Sequence, residues 1–465
     1  MLLKQFYLFA DHIETDYLSV HHQAVNDKQN KLLRSGVLVN SLLQMLRIPS
    51  DKDKVFSIIS LENSTGYLSL ATAVHLLDNG VKNIHIDLLS SSISDSLTKL
   101  SSKVSELFTN QGGSLHVTIT VADPICNYHE FTPQYDLALI DPPLGRYPDK
   151  NHPYPEIIGK LYSGNAYLYC AYMAVSVELL KQNGQLLCIT PRTYTSGDYS
   201  IGFRKYLFSK ASLQTLKLVY EHINLNHQTL LSSLIKCDLQ QPDLTIQQYS
   251  IEKCKFISDC TFPSEDIIQS NSLDMAVYLP LTQKDLDTIK EVESYPKTFE
   301  EAGYQISTGP IIASQFKHGV IAAGCKSFNK DIGPVPLINL HNIRTLTTHW
   351  SGKHEKDKCV DPTNSKMASK LIANQPYIFL RRINAGFRTH KLTASVYNAY
   401  GSFKYLTVEN HINYISKKNG SLNNDEAKMI ADYLNSVKCR TYFSCTSGSS
   451  QFNAKKLRKL KLPNF

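Results

Sequence analysis

From Val55 onward, short apolar runs alternate with stretches of helical patterning. VFSIISL (55–61), NIHIDLL (83–89), SLHVTITV (114–121), YDLALI (135–140) and QLLCIT (185–190) are continuously apolar or alternate with period two, and each predicts a strand. Between them, Leu68–Leu77 predicts a helix, Leu97, Leu100, Val104 and Leu107 recur at helical spacing, and Asn165–Lys181 predicts a long helix. LQTLKLV (213–219) and LLSSLIKC (230–237), separated by the polar segment YEHINLNHQT, predict a closing antiparallel hairpin. Such alternation implies an α/β domain over residues 51–240, its mostly parallel sheet covered on both faces, with ligands at the carboxyl ends of the strands. Residues 1–50 are expected to be a helical segment. Residues 241–300 are polar and irregular and predict a linker with some strands. Residues 301–465 are turn-rich (STGP, AAGCK, IGPVP) and end in a helix at Asn424–Ser436, as expected of a mixed α+β domain.

Composition sharpens this picture. At 465 residues the chain exceeds what one hydrophobic core usually supports, so two domains are expected. Hydrophobic residues at 42% exclude a disordered chain, and charged residues at 19% exclude a coiled-coil rod. No apolar run is long enough for a membrane span, and the amino terminus carries acids where a signal peptide has its cleavage site. The ten cysteines include no CxxC pair, which predicts reduced, buried thiols and a soluble protein of the cytoplasm. His21–His22 has no carboxylate or cysteine at ligand spacing, so no metal is expected.

Charge divides the chain again. Residues 1–280 hold 22 Lys+Arg against 27 Asp+Glu, whereas residues 281–465 hold 27 against 14. A near-neutral first part joined to a basic second part predicts a catalytic or scaffold domain followed by one that meets a polyanion.

The chemically richest feature is Asp141-Pro142-Pro143-Leu144, directly after YDLALI and so at a strand's carboxyl end. A carboxylate and the carbonyl of the first proline can together accept both hydrogens of an exocyclic amine, and the prolines fix these acceptors in space. By itself, Asp-Pro-Pro after a strand is also an ordinary rigid turn.

Its surroundings carry a resemblance. The stretch Tyr135–Val219, above all GNAYLYCAYMAVSVELLKQNGQLLCITPRTYTSGDYSIGFRKYLF (164–207), resembles the adenine-N6 DNA methyltransferases of type II restriction–modification systems. In that family (D/N)PP(Y/F) precedes a helix, an "LL..GG.L..I.P" strand entry and "FR..LL". YQISTGPIIASQFK (304–317), PLINLHNIR (336–344), YIFLRRINAGF (377–387), VENHINYI (408–415) and the segment 432–463 resemble the family's target-recognition domain, in the gamma-class motif order. The resemblance implies a Rossmann-like methyltransferase domain with an antiparallel terminal hairpin, followed by a mixed α+β DNA-recognition domain. It further implies S-adenosylmethionine as cofactor, and Asp141, Pro142, Pro143 and Leu144 as the site that holds an adenine flipped from duplex DNA.

The departures gather at the cofactor motifs. The family's D-P-G-x-G-x-G turn corresponds to Ser60–Gly66, which keeps only the last glycine, and Leu144 replaces the stacking aromatic. The segment corresponding to the family's F-T-P-like motif, about Gly36–Val39, has lost its character. The cofactor-binding positions implied are Glu62, Thr65, Gly66, Asp87 and Asp123. Asp87 falls early for the ribose acid, whose expected place is apolar or serine. For DNA, the candidates are Arg381, Arg382, Arg388, His390, Lys391, Gln451, Asn453, Lys455, Lys456, Arg458, Lys459 and Lys461, each with a structural alternative in ion pairing, loop fixing or a solvated face. Two readings follow. One is a DNA-binding family member whose cofactor binding and catalysis are weakened or lost, with an active methyltransferase or a defence-system protein as partner. The other is a working adenine-N6 methyltransferase. No PD…(D/E)xK-like cluster points to a nuclease.

Overall fold

The computed structural model describes residues 2–7, 10, 36–63, 65–143, 145–146, 159, 161, 167–220, 228–251, 253, 255–312, 314–315, 319–322, 335–382, 392–399, 403–448 and 452–464. They divide into two units, Met1–Thr282 with Thr446–Gly448, and Gln283–Cys445 with Ser449–Phe465. That boundary reproduces the charge division, because the two residues after position 280 and the segment 446–448 are uncharged.

The first unit is built on a nine-stranded sheet: β1 Phe56–Leu61, β2 Asn83–Ser90, β3 Ser114–Val121, β4 Tyr135–Ile140, β5 Leu180–Pro191, β6 Ala211–Tyr220, β7 Thr229–Lys236, β8 Asp243–Ser250 and β9 Lys255–Pro263. The spatial order is β3-β2-β1-β4-β5-β7-β6-β8-β9. The first five neighbours are parallel. β7 inserts antiparallel between β5 and β6, forming the expected hairpin. β8 then runs parallel to β6, and β9 antiparallel to β8. These last two strands occupy part of the segment read from sequence as a linker. Their outward residues are polar, so their patterning shows only as a weak alternation in DLTIQQYS, whose Leu244 and Ile246 are fully buried.

The longer helices of this unit are α1 Gly36–Leu43, α2 Tyr67–Asp78, α3 Ser96–Asn110, α4 Leu168–Leu179 and α5 Ile201–Lys210. α3 is amphipathic, burying Leu97, Leu100, Val104 and Phe108. α2 and α4 are apolar nearly all round and buried accordingly. The long helix expected to reach Lys181 stops at Leu179, since Leu180 is already extended and opens β5. Leu38, Val39 and Leu42 of α1 join Leu3 and Phe6 in the same core as α2, β1 and β2.

One buried charge is built into this sheet. Lys217 in β6 is fully buried, its Nζ donating to the Ser41 carbonyl at 2.6 Å and to Gln44 Oε1 at 3.3 Å, with the Phe256 ring centroid 4.9 Å away. Burial pulls its pKa down to about 8, against an opposing pull from Asp259. Between that value and the ordinary 10.5 the unfolded chain holds a proton that the folded chain has released, so folding becomes more favourable as pH rises through this window. Relative to Lys217→Met, the parent chain is expected to gain up to about 3 kcal/mol between pH 8 and 10.5, at ~1.4 kcal/mol per pH unit. Urea melts of the two proteins across this range check it; a constant difference contradicts it.

The second unit contains a six-stranded sheet in the order Tyr304–Thr308, Ile412–Lys417, Tyr377–Arg381, Ala394–Tyr397, Leu346–Thr348, Ile343–Arg344. A five-stranded sheet runs Val320–Ala322, Lys358–Val360, Val335–Ile338, Tyr405–Val408, Ile372–Ala373. Its longer helices are α6 Gln283–Glu293, α7 Asn424–Asn435, α8 Val437–Thr446, whose last residue belongs to the first unit, and α9 Ala454–Lys459. Asn423 caps α7, its side chain accepting the Glu426 N–H at 2.8 Å. The mixed α+β character expected after residue 300 is what this unit shows.

Candidate functional site

Register brings the sequence motifs together. Leu61 at the end of β1 lies opposite Leu89 of β2 and Ile140 of β4, and Ile140 lies opposite Cys188 of β5. Glu62, which follows Leu61, and Asp141, which follows Ile140, therefore leave the sheet side by side at its carboxyl edge. Asp141 is part-exposed, Pro142 buried and Pro143 exposed. The Pro143 carbonyl accepts the Gly145 N–H at 3.1 Å, folding the chain back after the two prolines, and the Gly145 carbonyl accepts the Leu168 N–H at 3.0 Å. Among the described residues the Pro142 carbonyl accepts no backbone hydrogen bond.

The turn after β1 keeps the shape that glycine favours without the glycine. Glu62 has φ 55°, in the left-handed region, at the position of the family's first glycine. Its Oε2 reaches the end of β2, accepting the Ser91 N–H at 3.1 Å and the Ser91 hydroxyl at 3.0 Å. The next two described turn residues, Asn63 and Thr65, are buried at 8% and 4% exposure. Asn63 Nδ2 donates to Ser60 Oγ and Ser69 Oγ at 3.4 Å each, and Thr65 Oγ1 accepts the Tyr67 N–H at 3.3 Å. Gly66 is left-handed too, with φ 68°, and a Cβ there would stand 2.2 Å from Leu97 Cδ1. The surviving glycine thus lets α2 start close against α3.

The other implied cofactor residues are held by the protein itself. Asp87 accepts the Tyr135 hydroxyl at 2.6 Å and lies 3.3 Å from His85 Nε2, two residues short of Leu89, the partner of Leu61. Asp123 follows β3 and caps the short helix Pro124–Asn127, its Oδ1 accepting the Ile125 N–H at 2.8 Å. Tyr172 of α4 is 3% exposed; burial, with the nearby Glu62 and Asp123 carboxylates, pushes its phenol far above the usual range. Nothing in the sequence reading singled out Tyr172, although the spacing Tyr167, Tyr169, Tyr172 places three phenols at the entry of one helix. Gly36, in the F-T-P-like position, packs its Cα face on the Tyr7 ring.

Arg204, the arginine of the Phe203-Arg204 pair, is a structural clamp. It is fully buried, donating through Nε and Nη2 to the Asp274 carbonyl at 2.8 and 2.5 Å, and through Nη1 to the Tyr194 and Gly197 carbonyls at 2.8 and 2.9 Å.

Several of the expected DNA-facing residues are tied to backbone. Arg381 Nη2 donates to the Ile343 carbonyl at 2.6 Å, and Arg382 Nη1 to the Asn410 carbonyl at 3.2 Å. Arg458 grips the Ile306 carbonyl through Nε and Nη2 at 3.0 and 2.7 Å, and Asn453 caps α9 by accepting the Lys456 N–H at 2.7 Å. Lys455 and Lys459 are exposed, Lys456 is half-buried, and Lys461 donates to the Glu293 carbonyl. Leu144, Arg388, His390, Lys391, Gln451, His21 and His22 lie outside the described residues. Among the described residues no group of three His, Cys, Asp or Glu side chains is arranged to hold a metal ion, and no helix is long and apolar enough to cross a membrane.

Residues 51–222 match the family described as Eco57I restriction-modification methylase. The chain is similar to the type II restriction–modification methyltransferases. It is 24% identical over 342 residues to the type II methyltransferase M.PstI of Providencia stuartii, covering 72% of this chain and 66% of that protein. To M.BsuBI of Bacillus subtilis it is 23% identical over 337 residues, covering 70% and 65%. The chain thus spans just under two thirds of these relatives' length. Among solved structures, the Type IIL restriction-modification enzyme MmeI, in complex with DNA, shares the fold with a TM-score of 0.52 at 9% identity, over 97% of this chain and 65% of that one. The matched segment begins just ahead of β1 and ends just past β6, so it contains both Glu62 and Asp141.

Proposed function

We propose that this protein binds duplex DNA through its basic second unit, as a non-catalytic relative of the S-adenosylmethionine-dependent DNA adenine-N6 methyltransferases. Its cofactor binding and methyl transfer are weakened or lost. The observation that carries the reading is Glu62, which stands in the left-handed conformation at the first glycine position with its carboxylate committed to Ser91. A backbone cradle needs bare glycine positions so that a ligand can approach the chain. Here Glu62 crosses that space, Asn63 and Thr65 turn their side chains into the fold, and Gly66 is spent on Leu97. These residues do not fit the cofactor.

The excess of 27 Lys+Arg over 14 Asp+Glu after residue 280 supports the polyanion half of the reading. Such a protein would act in the cytoplasm of a prokaryotic cell beside an active methyltransferase or defence-system partner. The alternative, an active enzyme that flips adenine onto Asp141 and the Pro142 carbonyl, is favoured by one feature, the preserved Asp-Pro-Pro at a strand's end next to α4. A salt series of duplex binding by anisotropy, run beside transfer of labelled methyl groups from S-adenosylmethionine into the same DNA, separates the two. The expected result is binding that weakens steeply with salt and label at the no-protein background. Methylated adenine in the DNA, or no duplex binding at low salt, overturns the reading.

A further inference from the structure

The nine-stranded sheet of the first unit ends on β9 at one side and on β3 at the other, and the two edges are built differently. β9 carries Lys255 and Asp259, shifts register opposite Gln248 and Tyr249, and ends on Pro263. Charges, bulges and prolines are the means by which edge strands avoid pairing with another chain. β3 has none of them: Ser114–Val121 contains no Lys, Arg, Asp, Glu or Pro and pairs with β2 along its whole length without a register shift. The Ser114 N–H donates to the Lys82 carbonyl at 2.9 Å and the Ala122 N–H to the Ser90 carbonyl at 3.1 Å. Even-numbered positions therefore turn their backbone groups toward β2, and Leu115, Val117, Ile119 and Val121 turn N–H and C=O out of the sheet. The side chains of these four share one face. Leu115 and Val117 pack against the core that includes Leu100 and Val104 of α3, while Ile119 and Val121 are 42% and 64% exposed.

We propose that β3 is the interface of a two-fold dimer, pairing antiparallel with β3 of a second copy of this chain about Thr118. In this register Leu115 lies opposite Val121 of the second copy, and Val117 opposite its Ile119. Every outward N–H and C=O then meets an outward group, and every apolar side chain an apolar one. A two-fold axis sets central residues against their own copies, so a charge there would face itself; Val117, Thr118 and Ile119 carry none. The helical layer fits as well. α3 connects β2 to β3, and two strand spacings of ~4.8 Å separate the β2–β3 midline from that of the second copy. The resulting ~10 Å is the distance at which two helices pack, and it brings Ile119 and Val121 under the flank of the second copy's α3. Eight residues at ~3.3 Å each and two layers of ~10 Å give on the order of 500 Å² per partner, about 1,000 Å² in all. With about eight main-chain hydrogen bonds, that contact stands at the lower end of specific interfaces, so the dimer is expected to be reversible. The proposal is independent of the DNA and cofactor readings above.

Sedimentation velocity of the full-length protein from about 1 to 100 μM tests it. The parent chain is expected to pass from monomer to dimer as concentration rises. Thr118 is exposed, so Thr118→Lys and Thr118→Glu put folding at little risk. Each is expected to weaken the dimer at least about tenfold, because the new charge faces its own copy across the axis. An equimolar mixture of the two variants is expected to restore association, since opposite charges then meet. Ile119→Pro removes an outward N–H and no bond to β2, and is expected to keep the chain monomeric with its melting temperature close to the parent's. A parent chain that stays monomeric throughout, or a dimer that survives Ile119→Pro or either Thr118 variant, overturns the proposal. So does a mixture of the two Thr118 variants that fails to associate.

Discussion

Glu62→Gly is expected to bind S-adenosylmethionine at least about tenfold more tightly than the parent chain, a difference of ~1.4 kcal/mol or more. The substitution removes the side chain that spans from the end of β1 to Ser91 and returns glycine to a backbone already at φ 55°. Stability should change little. A non-glycine residue held left-handed costs on the order of 1–2 kcal/mol, which the substitution relieves, while the lost hydrogen bonds to Ser91 contribute a similar amount at about 1 kcal/mol each. Glu62→Ala, which removes the carboxylate but keeps a Cβ in the left-handed region, should fall between the two. Equilibrium dialysis against labelled S-adenosylmethionine measures all three proteins. A Glu62→Gly chain that binds no better than the parent would mean that Asn63, Thr65 or the surrounding packing closes the turn independently of Glu62.

Arg204→Met is expected to cost the first unit about 3–5 kcal/mol of stability. Burial disfavours the guanidinium's charged form, and its four bonds to the carbonyls of Tyr194, Gly197 and Asp274 are what compensate for taking that charge out of water. Methionine fills much of the volume but leaves three carbonyls without those donors, each costing on the order of 1 kcal/mol or more. At a few degrees per kcal/mol for a domain of this size, the melting temperature should drop by on the order of 10 °C. Arg204→Lys should rescue little, since one ammonium cannot serve the carbonyls of Tyr194, Gly197 and Asp274 together as a planar fork does. A drop of only a degree or two in calorimetry would contradict the clamp.

The central sheet was legible because its strands carry their own burial pattern. FSIISL, YDLALI and QLLCIT are apolar on both faces, which is what a parallel strand between two helical layers requires. β8 and β9 were less so, because a sheet's outer strands can satisfy one face with Gln247, Lys255 and Asp259 and then resemble a polar linker. Asp141 was placed correctly at a strand's end by the short apolar run before it. The sequence also showed that glycines were missing at Ser60–Gly66, but a missing glycine has two physical outcomes: the turn changes shape, or another residue accepts the strained conformation. Only the backbone of Glu62 distinguishes them. Part-exposed side chains that also bond their own backbone were the hardest to assign. Asp123 and Asn453 carry the residue types of a ligand contact and spend them on helix caps, and Arg381, Arg382 and Arg458 carry the charge of a phosphate contact and direct it at carbonyls of their own unit.

The most direct test of the account is calorimetric titration of S-adenosylmethionine into the full-length protein, with and without duplex DNA. The account predicts no saturable heat in either condition while the DNA itself still binds. Saturable micromolar binding by the parent chain would contradict it, and would make Glu62 an acid that serves the cofactor from the glycine position instead of one that stands in its way.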